Sequence, residues 1–135
     1  MRTCDIPSFM DTVRTIACKL APTLTQRSEL DATLFAFADA CNHIADVARR
    51  IHSRNKVKVQ HACYQEVRER FGLSANLVIR AIARVCAALQ VKSTAPSKFA
   101  PTSVDYDQRV LSFREGDWTF SLTLRHSRER AESHK

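Results

Sequence analysis

The stretch Phe71 to Leu89, FGLSANLVIRAIARVCAAL, decides how the middle of this 135-residue chain folds. Leu77, Val78, Ala81, Ile82, Val85, Cys86 and Leu89 recur at the spacing of a helix with a wide buried stripe. Gly72, one of only two glycines in the chain, stands just past an earlier helical pattern, where a left-handed C-cap resists most side chains. Ser74 then caps the next helix, so the sequence predicts helix, short turn, capped helix, the signature of a helix-turn-helix-like element. The face left over carries Asn76, Arg80 and Arg84, with Ala83 and Ala87 between their rows and Ile79 beside them. Asn can pair with adenine, Arg with guanine or phosphate, and an exposed Ile79 could meet thymine methyls, while small residues admit a groove wall. The competing reading is a solvated polar face on a core helix, and the surrounding charge tips the balance.

That charge is concentrated. Residues 47–98 hold eleven Lys/Arg against two acids, net +9, whereas residues 1–46 are net −2 and residues 99–135 are neutral. A block so polarised attracts a polyanion, and nucleic acid is favoured over an anionic membrane surface because no Trp/Phe-rich amphipathic face accompanies it. Its densest part, RRIHSRNKVKV at 49–59, supplies Arg49, Arg50, Arg54, Lys56 and Lys58, and reads as a helix end followed by a basic loop. Gln60 begins the next helix, with Ala62, Cys63, Val67 and Phe71 as its buried stripe.

Further upstream, Thr23 followed by Gln26 makes a capping box for a helix over about 24–52, whose stripe is Leu30, Leu34, Phe37, Cys41, Ile44, Ala48 and Ile51. Before it, VRTIACKL at 13–20 alternates as a strand that Pro22 ends. Downstream, VKSTAPSKFAPTS has the composition of a linker. Val104–Tyr106, Arg109–Phe113 and Trp118–Arg125 then read as strands, with Glu115-Gly116-Asp117 as a tight connection between the last two. The expected organisation is α+β: an N-terminal strand (1–22), a helical lobe (23–92), a linker (93–103), an antiparallel meander (104–126) and a polar, frayed tail (127–135). In it the helices are inserted between the first strand and the meander, which together form a partial barrel.

Composition bounds the function. The apolar runs are far too short to cross a bilayer, and MRTCDIPSFMD has no apolar core of a secretory signal, which predicts a cytoplasmic protein. Five cysteines without a CxxC, and without His at finger spacing, read as buried or half-buried reduced thiols rather than zinc ligands. Asp105 and Asp107 could bind Mg²⁺ as a pair, but in SVDYDQR they read better as turn acceptors or a solvated pair. The five histidines have no nucleophile or acid at telling spacing, so neither a catalytic site, a metal nor a cofactor is assigned.

The order of a basic-flanked strand, a helix with ACNHIADVA, a helix pair with CYQEVRERFGLSANLVIRAIARV and a closing SVDYDQRVLSF resembles the N-terminal part of the transposon-encoded TnpB (OrfB) family, related to compact type V CRISPR effectors. The resemblance covers roughly Thr15 to Leu124, and its most specific pieces are Ala40-Cys41-Asn42, Leu73 to Val85, and Asp105 to Phe113. It implies a wedge-like barrel with an inserted recognition lobe that holds guide RNA and reads a short target-adjacent DNA motif. That reading would fall near the start of the Ser74-capped helix and around Lys56 to Gln60. The family's RuvC-like nuclease and zinc ribbon lie beyond the part matched, so the resemblance implies no cleavage by this chain. Set against it is a free-standing helix-turn-helix transcriptional regulator on duplex DNA. Both readings place binding on Arg49, Arg50, Arg54, Lys56, Lys58, Gln60, Ser74, Asn76, Ile79, Arg80 and Arg84.

Overall fold

Thr23 starts the first helix by a reciprocal exchange: its hydroxyl accepts from the Gln26 amide at 3.2 Å while its own amide donates to Gln26 Oε1 at 3.0 Å. In the computed structural model, which describes residues 13–91, 98–125 and 128–132, this helix is α1, Leu24–Arg50. It closes on His52, whose left-handed backbone (φ 51°) lets Ser53 N reach the Ala48 carbonyl at 3.1 Å, a Schellman-like stop. Asn55 then caps α2, Lys56–Phe71, by accepting from the Val57 and Lys58 amides. Gly72 ends α2 at φ 62°, and Ser74 caps α3, Ala75–Gln90. The glycine C-cap and the serine N-cap are where the sequence placed them.

The three helices share one core. Phe37, Cys41 and Ile44 of α1, Val59, Cys63 and Val67 of α2, and Leu77, Val78, Ile82, Val85 and Cys86 of α3 are all buried within it. Burial of each large aliphatic or aromatic side chain contributes about 1.5–3 kcal/mol, so this cluster is the main source of stability. Every position expected on the α3 stripe is buried except Leu89, which packs at the margin. Two expectations for α2 fail together. The helix begins at Lys56 rather than near Gln60, because Asn55 supplies a cap; the stripe therefore starts with Val59, and Ala62 points outward. On α1, Ile51 is likewise exposed, lying just past the helix end.

The C-terminal part forms an antiparallel sheet in the order β1 (Leu111–Arg114), β2 (Thr119–Thr123), β3 (Arg128–Glu132). Leu111 pairs with Leu122 and Phe113 with Phe120, which puts these four on one face. The expected meander is present, with shorter strands than predicted. Its third strand comes from the tail, where the sequence predicts fraying: Phe120 pairs with Ala131 and Thr123 with Arg128. Val104–Tyr106 is not a strand, because it packs on the helical core instead of pairing. Residues 98–107 form a strap across the helices, with Phe99, Val104 and Tyr106 set against the core.

The N-terminal strand is not formed in the described residues 13–22, where Leu20 makes only an isolated bridge; residues 1–12 lie outside them. The reason is a missing partner. The sheet is completed by consecutive strands, and Val13 and Ile16 stay 98% and 82% exposed, so the alternation of VRTIACKL buries nothing. Residues 92–97 of the expected linker also lie outside the described residues. The linker's remaining part, 98–103, belongs to the strap.

Candidate nucleic-acid interface

The basic residues at the α1–α2 turn project into solvent. Arg49, Arg50, Arg54, Lys56, Lys58 and Gln60 are all exposed. Arg49 has an i−3 partner, Asp46, at 3.2 Å; among the described residues, Arg50, Arg54, Lys56 and Lys58 have no ion pair. Arg49 and Arg50 suit the negative C-terminal end of α1, which is an ordinary structural placement. Lys56 and Lys58 do the opposite. They stand in the first turn of α2, where the helix dipole is positive and where no acidic residue balances it. Such a concentration of like charge at a helix start favours a bound polyanion and does little for the free protein. The end of α3 lies beside this turn, since Gln90 Nε2 donates to the Arg54 carbonyl at 3.5 Å.

The α3 face is arranged differently, because the strap lies along it. Arg84 makes a two-point ion pair with Asp105, Nε to Oδ2 at 2.9 Å and Nη2 to Oδ1 at 2.7 Å, and its Nη1 donates to the Ser103 carbonyl at 2.9 Å. The same guanidinium lies 4.9 Å from the Phe37 ring centre. Asn76 Nδ2 donates to Asp107 Oδ2 at 3.2 Å, and Asp107 Oδ1 accepts from the Arg109 amide at 2.9 Å in a turn. The Asp105 carboxyl is held below its ordinary value chiefly by the Arg84 hydrogen bonds, and Asp107 chiefly by the Arg109 amide. Both aspartates are therefore spoken for as acceptors. At the other end of the strap, Asn42 clasps Phe99, donating to its carbonyl at 3.1 Å and accepting from its amide at 2.6 Å.

Of the five α3 residues expected at an interface, Ser74 spends its hydroxyl on the cap, while Asn76 and Arg84 are engaged by the strap. Ile79 is 41% exposed, and Arg80 is half-buried beside both aspartates, with its Nε unpaired among the described residues. Helix geometry sets Ile79 apart but not Arg80: residues four apart drift by roughly 40° per step, so Arg80 lies between Asn76 and Arg84 on the strap side, and Ile79 lies about 60° to the other side of Asn76.

The strap contacts join three separate stretches of the sequence: Asn42 from α1, Asn76 and Arg84 from α3, and Asp105 and Asp107 from the strap itself. In this structure all of them are used to hold residues 99–107 on the helices. Asn42 and its partner Phe99 were not anticipated as a pair; the only signal was the ACN motif itself.

Of the four described cysteines, Cys41, Cys63 and Cys86 are buried as expected, whereas Cys18 is exposed because the segment 13–22 packs against nothing that covers it. Burial pushes Cys41 up to about 12 and Cys63 up to about 11, which keeps both protonated and poor nucleophiles. Among the described residues no group of three or more His, Cys, Asp or Glu side chains could hold a metal ion, and no helix is long and apolar enough to cross a membrane. No protein-family model, curated protein or solved structure matches the chain.

Proposed function

We propose that this chain is a nucleic-acid-binding lobe of a TnpB-like transposon protein, engaging guide-like RNA and target-adjacent duplex DNA without cleaving either. The observation that carries the proposal is the α1–α2 turn: Arg50, Arg54, Lys56 and Lys58 are exposed, lie within nine residues of sequence and have no acidic partners among the described residues. Four like charges held together around a positive helix start repel one another, and phosphates relieve that repulsion. On this reading α2, the Gly72 turn and α3 act as a helix-turn-helix-like element that presents Arg80 and Ile79, and the meander is part of an incomplete barrel. The alternative, a free-standing regulator that inserts α3 into a major groove, is less favoured. It needs the Asn76 and Arg84 side chains, which Asp107 and Asp105 already engage.

The test is binding of labelled structured RNA and duplex DNA to the purified chain over a salt series. Affinity is expected to fall steeply, with a log–log slope of about −0.9 per phosphate neutralised on duplex. Absence of binding at low salt, or binding indifferent to salt, overturns the proposal. Cleavage in the presence of Mg²⁺ or Mn²⁺ that is lost on Asp105→Ala would overturn its non-catalytic part.

A further inference from the structure

The strap lies on the helices without belonging to their core. The buried cluster is drawn from α1, α2 and α3, together with Leu73 of the turn between the last two, whereas Phe99, Val104 and Tyr106 are only partly buried against it. Among the described residues no backbone–backbone hydrogen bond joins the strap to a helix. Its polar ties run through side chains: Asn42 to Phe99, Arg84 to Ser103 and Asp105, and Asn76 to Asp107. A segment held in this way can leave while the three-helix core stays whole, which puts it at the low end of local stability.

What the strap covers is the polar face of α3. Residues 47–98 carry net +9, and the chain that follows at once, 99–107, holds Asp105 and Asp107 with no Lys or Arg, net −2. Both carboxylates fall on α3. Asp105 takes the two-point contact of Arg84, Asp107 accepts from Asn76, and Arg80 is near enough to help lower both acids. A guanidinium grips phosphate in the same two-point manner as it grips carboxylate. The seam is also incompletely satisfied: Asn76 Oδ1 and Arg80 Nε on the helix, and the Tyr106 hydroxyl on the strap, are buried without a hydrogen-bond partner among the described residues. Buried polar atoms in a permanent packing contact are nearly always paired. The strap neutralises the α3 face without saturating it, as a stand-in for another anion would.

We propose that residues 99–107 are a displaceable, autoinhibitory strap: Asp105 and Asp107 hold the Asn76, Arg80 and Arg84 face of α3 in the free protein, and the phosphates of bound duplex DNA take their place. The α1–α2 turn makes the first contact, because its cations are exposed and without ion pairs among the described residues. From there the surface is continuous with α3. Gln90 reaches the Arg54 carbonyl, and Arg84 stands about 9 Å further along the helix axis. A polyanion too short to extend from the turn onto α3 leaves the strap closed; a longer one competes with the tethered acids and opens it. The strap thereby regulates the interface proposed above, and its role rests on that reading.

Asp105→Asn combined with Asp107→Asn keeps the shape of both side chains and removes their charge. This variant of the full chain is expected to bind labelled duplex DNA about 5- to 10-fold more tightly than the parent, with a salt slope steeper by about 1 to 2 as Arg80 and Arg84 become available. Asp31→Asn combined with Asp39→Asn, two exposed acids of α1, changes the net charge equally and should raise affinity by no more than about 2-fold, since exposed charges remote from the contact are screened. Adding Arg84→Gln to the strap variant should take back about one unit of its slope. In the parent, hydrogen exchange over residues 99–107 should quicken when duplex binds, while exchange over 77–86 stays as it was. Equal gains from the two Asn pairs, or strap exchange that slows on DNA, overturn the strap proposal, and salt-sensitive binding by the parent then leaves the proposed function standing. No binding by parent or variant at low salt removes both. If the strap variant fails to fold, exchange in the parent decides alone.

Discussion

The α1–α2 turn and the strap-facing side of α3 are built from the same kinds of residue and use them in opposite ways. At the turn, Arg50, Arg54, Lys56 and Lys58 are exposed and form no ion pair among the described residues. On α3, Asn76 and Arg84 meet carboxylates 31 and 21 residues further along the chain, and Arg84 is only 21% exposed. The difference teaches that a basic or amide side chain at helical spacing says little about its partner. What matters is which other segment crosses its face. A free cation adds to the outer field and costs little to remove, while a clasped one holds two segments together and is costly to remove.

The largest effect should come from the free set. Changing Arg50, Arg54, Lys56 and Lys58 together to Gln is expected to lower affinity for duplex DNA on the order of 100-fold at low salt and to flatten the salt slope by about 3 to 4. Unfolding should stay within about 0.5 kcal/mol per site, as for other surface changes. The measurements are a salt series and a urea titration on the same preparation. A slope that did not move would place binding elsewhere and break the contrast between the two regions.

Much of the contrast was hidden in the sequence for an identifiable reason. Local signals were legible: the Thr23–Gln26 box, Gly72 and Ser74 each act within a few residues, and the α3 stripe follows from its own periodicity. Asn55 was missed as a cap because the basic residues around it read as a loop. VRTIACKL was misread because alternation shows what a strand would look like and not whether a partner exists. The clasp was out of reach because Arg84 belongs to the +9 block and Asp105 to the neutral segment after it, so counting charge by window separates two groups that the fold brings to 2.7 Å.

The clasped set should show its effect in stability. Arg84→Ala is expected to cost about 1 to 2 kcal/mol, the worth of a charge-assisted pair that is partly solvated on the Asp105 side. That departs from a purely outward-facing Arg84, whose removal would leave unfolding unchanged. Arg84→Lys should recover only part of the loss, since an ammonium cannot make the two-point contact. The pair also sets a pH dependence. Asp105 is depressed below its ordinary 3.8 when folded, so its contribution is fully present above that value and is lost as pH falls through the lower folded value. Stability measured between pH 2 and pH 6 should therefore fall less steeply on acidification in Arg84→Ala than in the parent. Identical acid limbs in the two proteins would mean that the clasp contributes nothing in solution.

Arg80 gives the smallest effect and the sharpest division, because it belongs fully to neither region. It is near enough to Asp105 and Asp107 to lower both, yet it forms no ion pair with them, and its Nε is buried without a partner among the described residues. In Arg80→Ala the lost attraction to two carboxylates is offset by relief of that unsatisfied nitrogen, so unfolding should shift by no more than about 0.5 kcal/mol. On the proposed reading Arg80 meets one phosphate at the edge of the strap, so binding should weaken by about 2- to 5-fold and the salt slope should drop by about 1. Early melting with an unchanged slope would assign Arg80 to the strap and confine the interface to the α1–α2 turn. A reduced slope with unchanged melting would extend the interface from that turn onto α3, past the two side chains the strap has already taken.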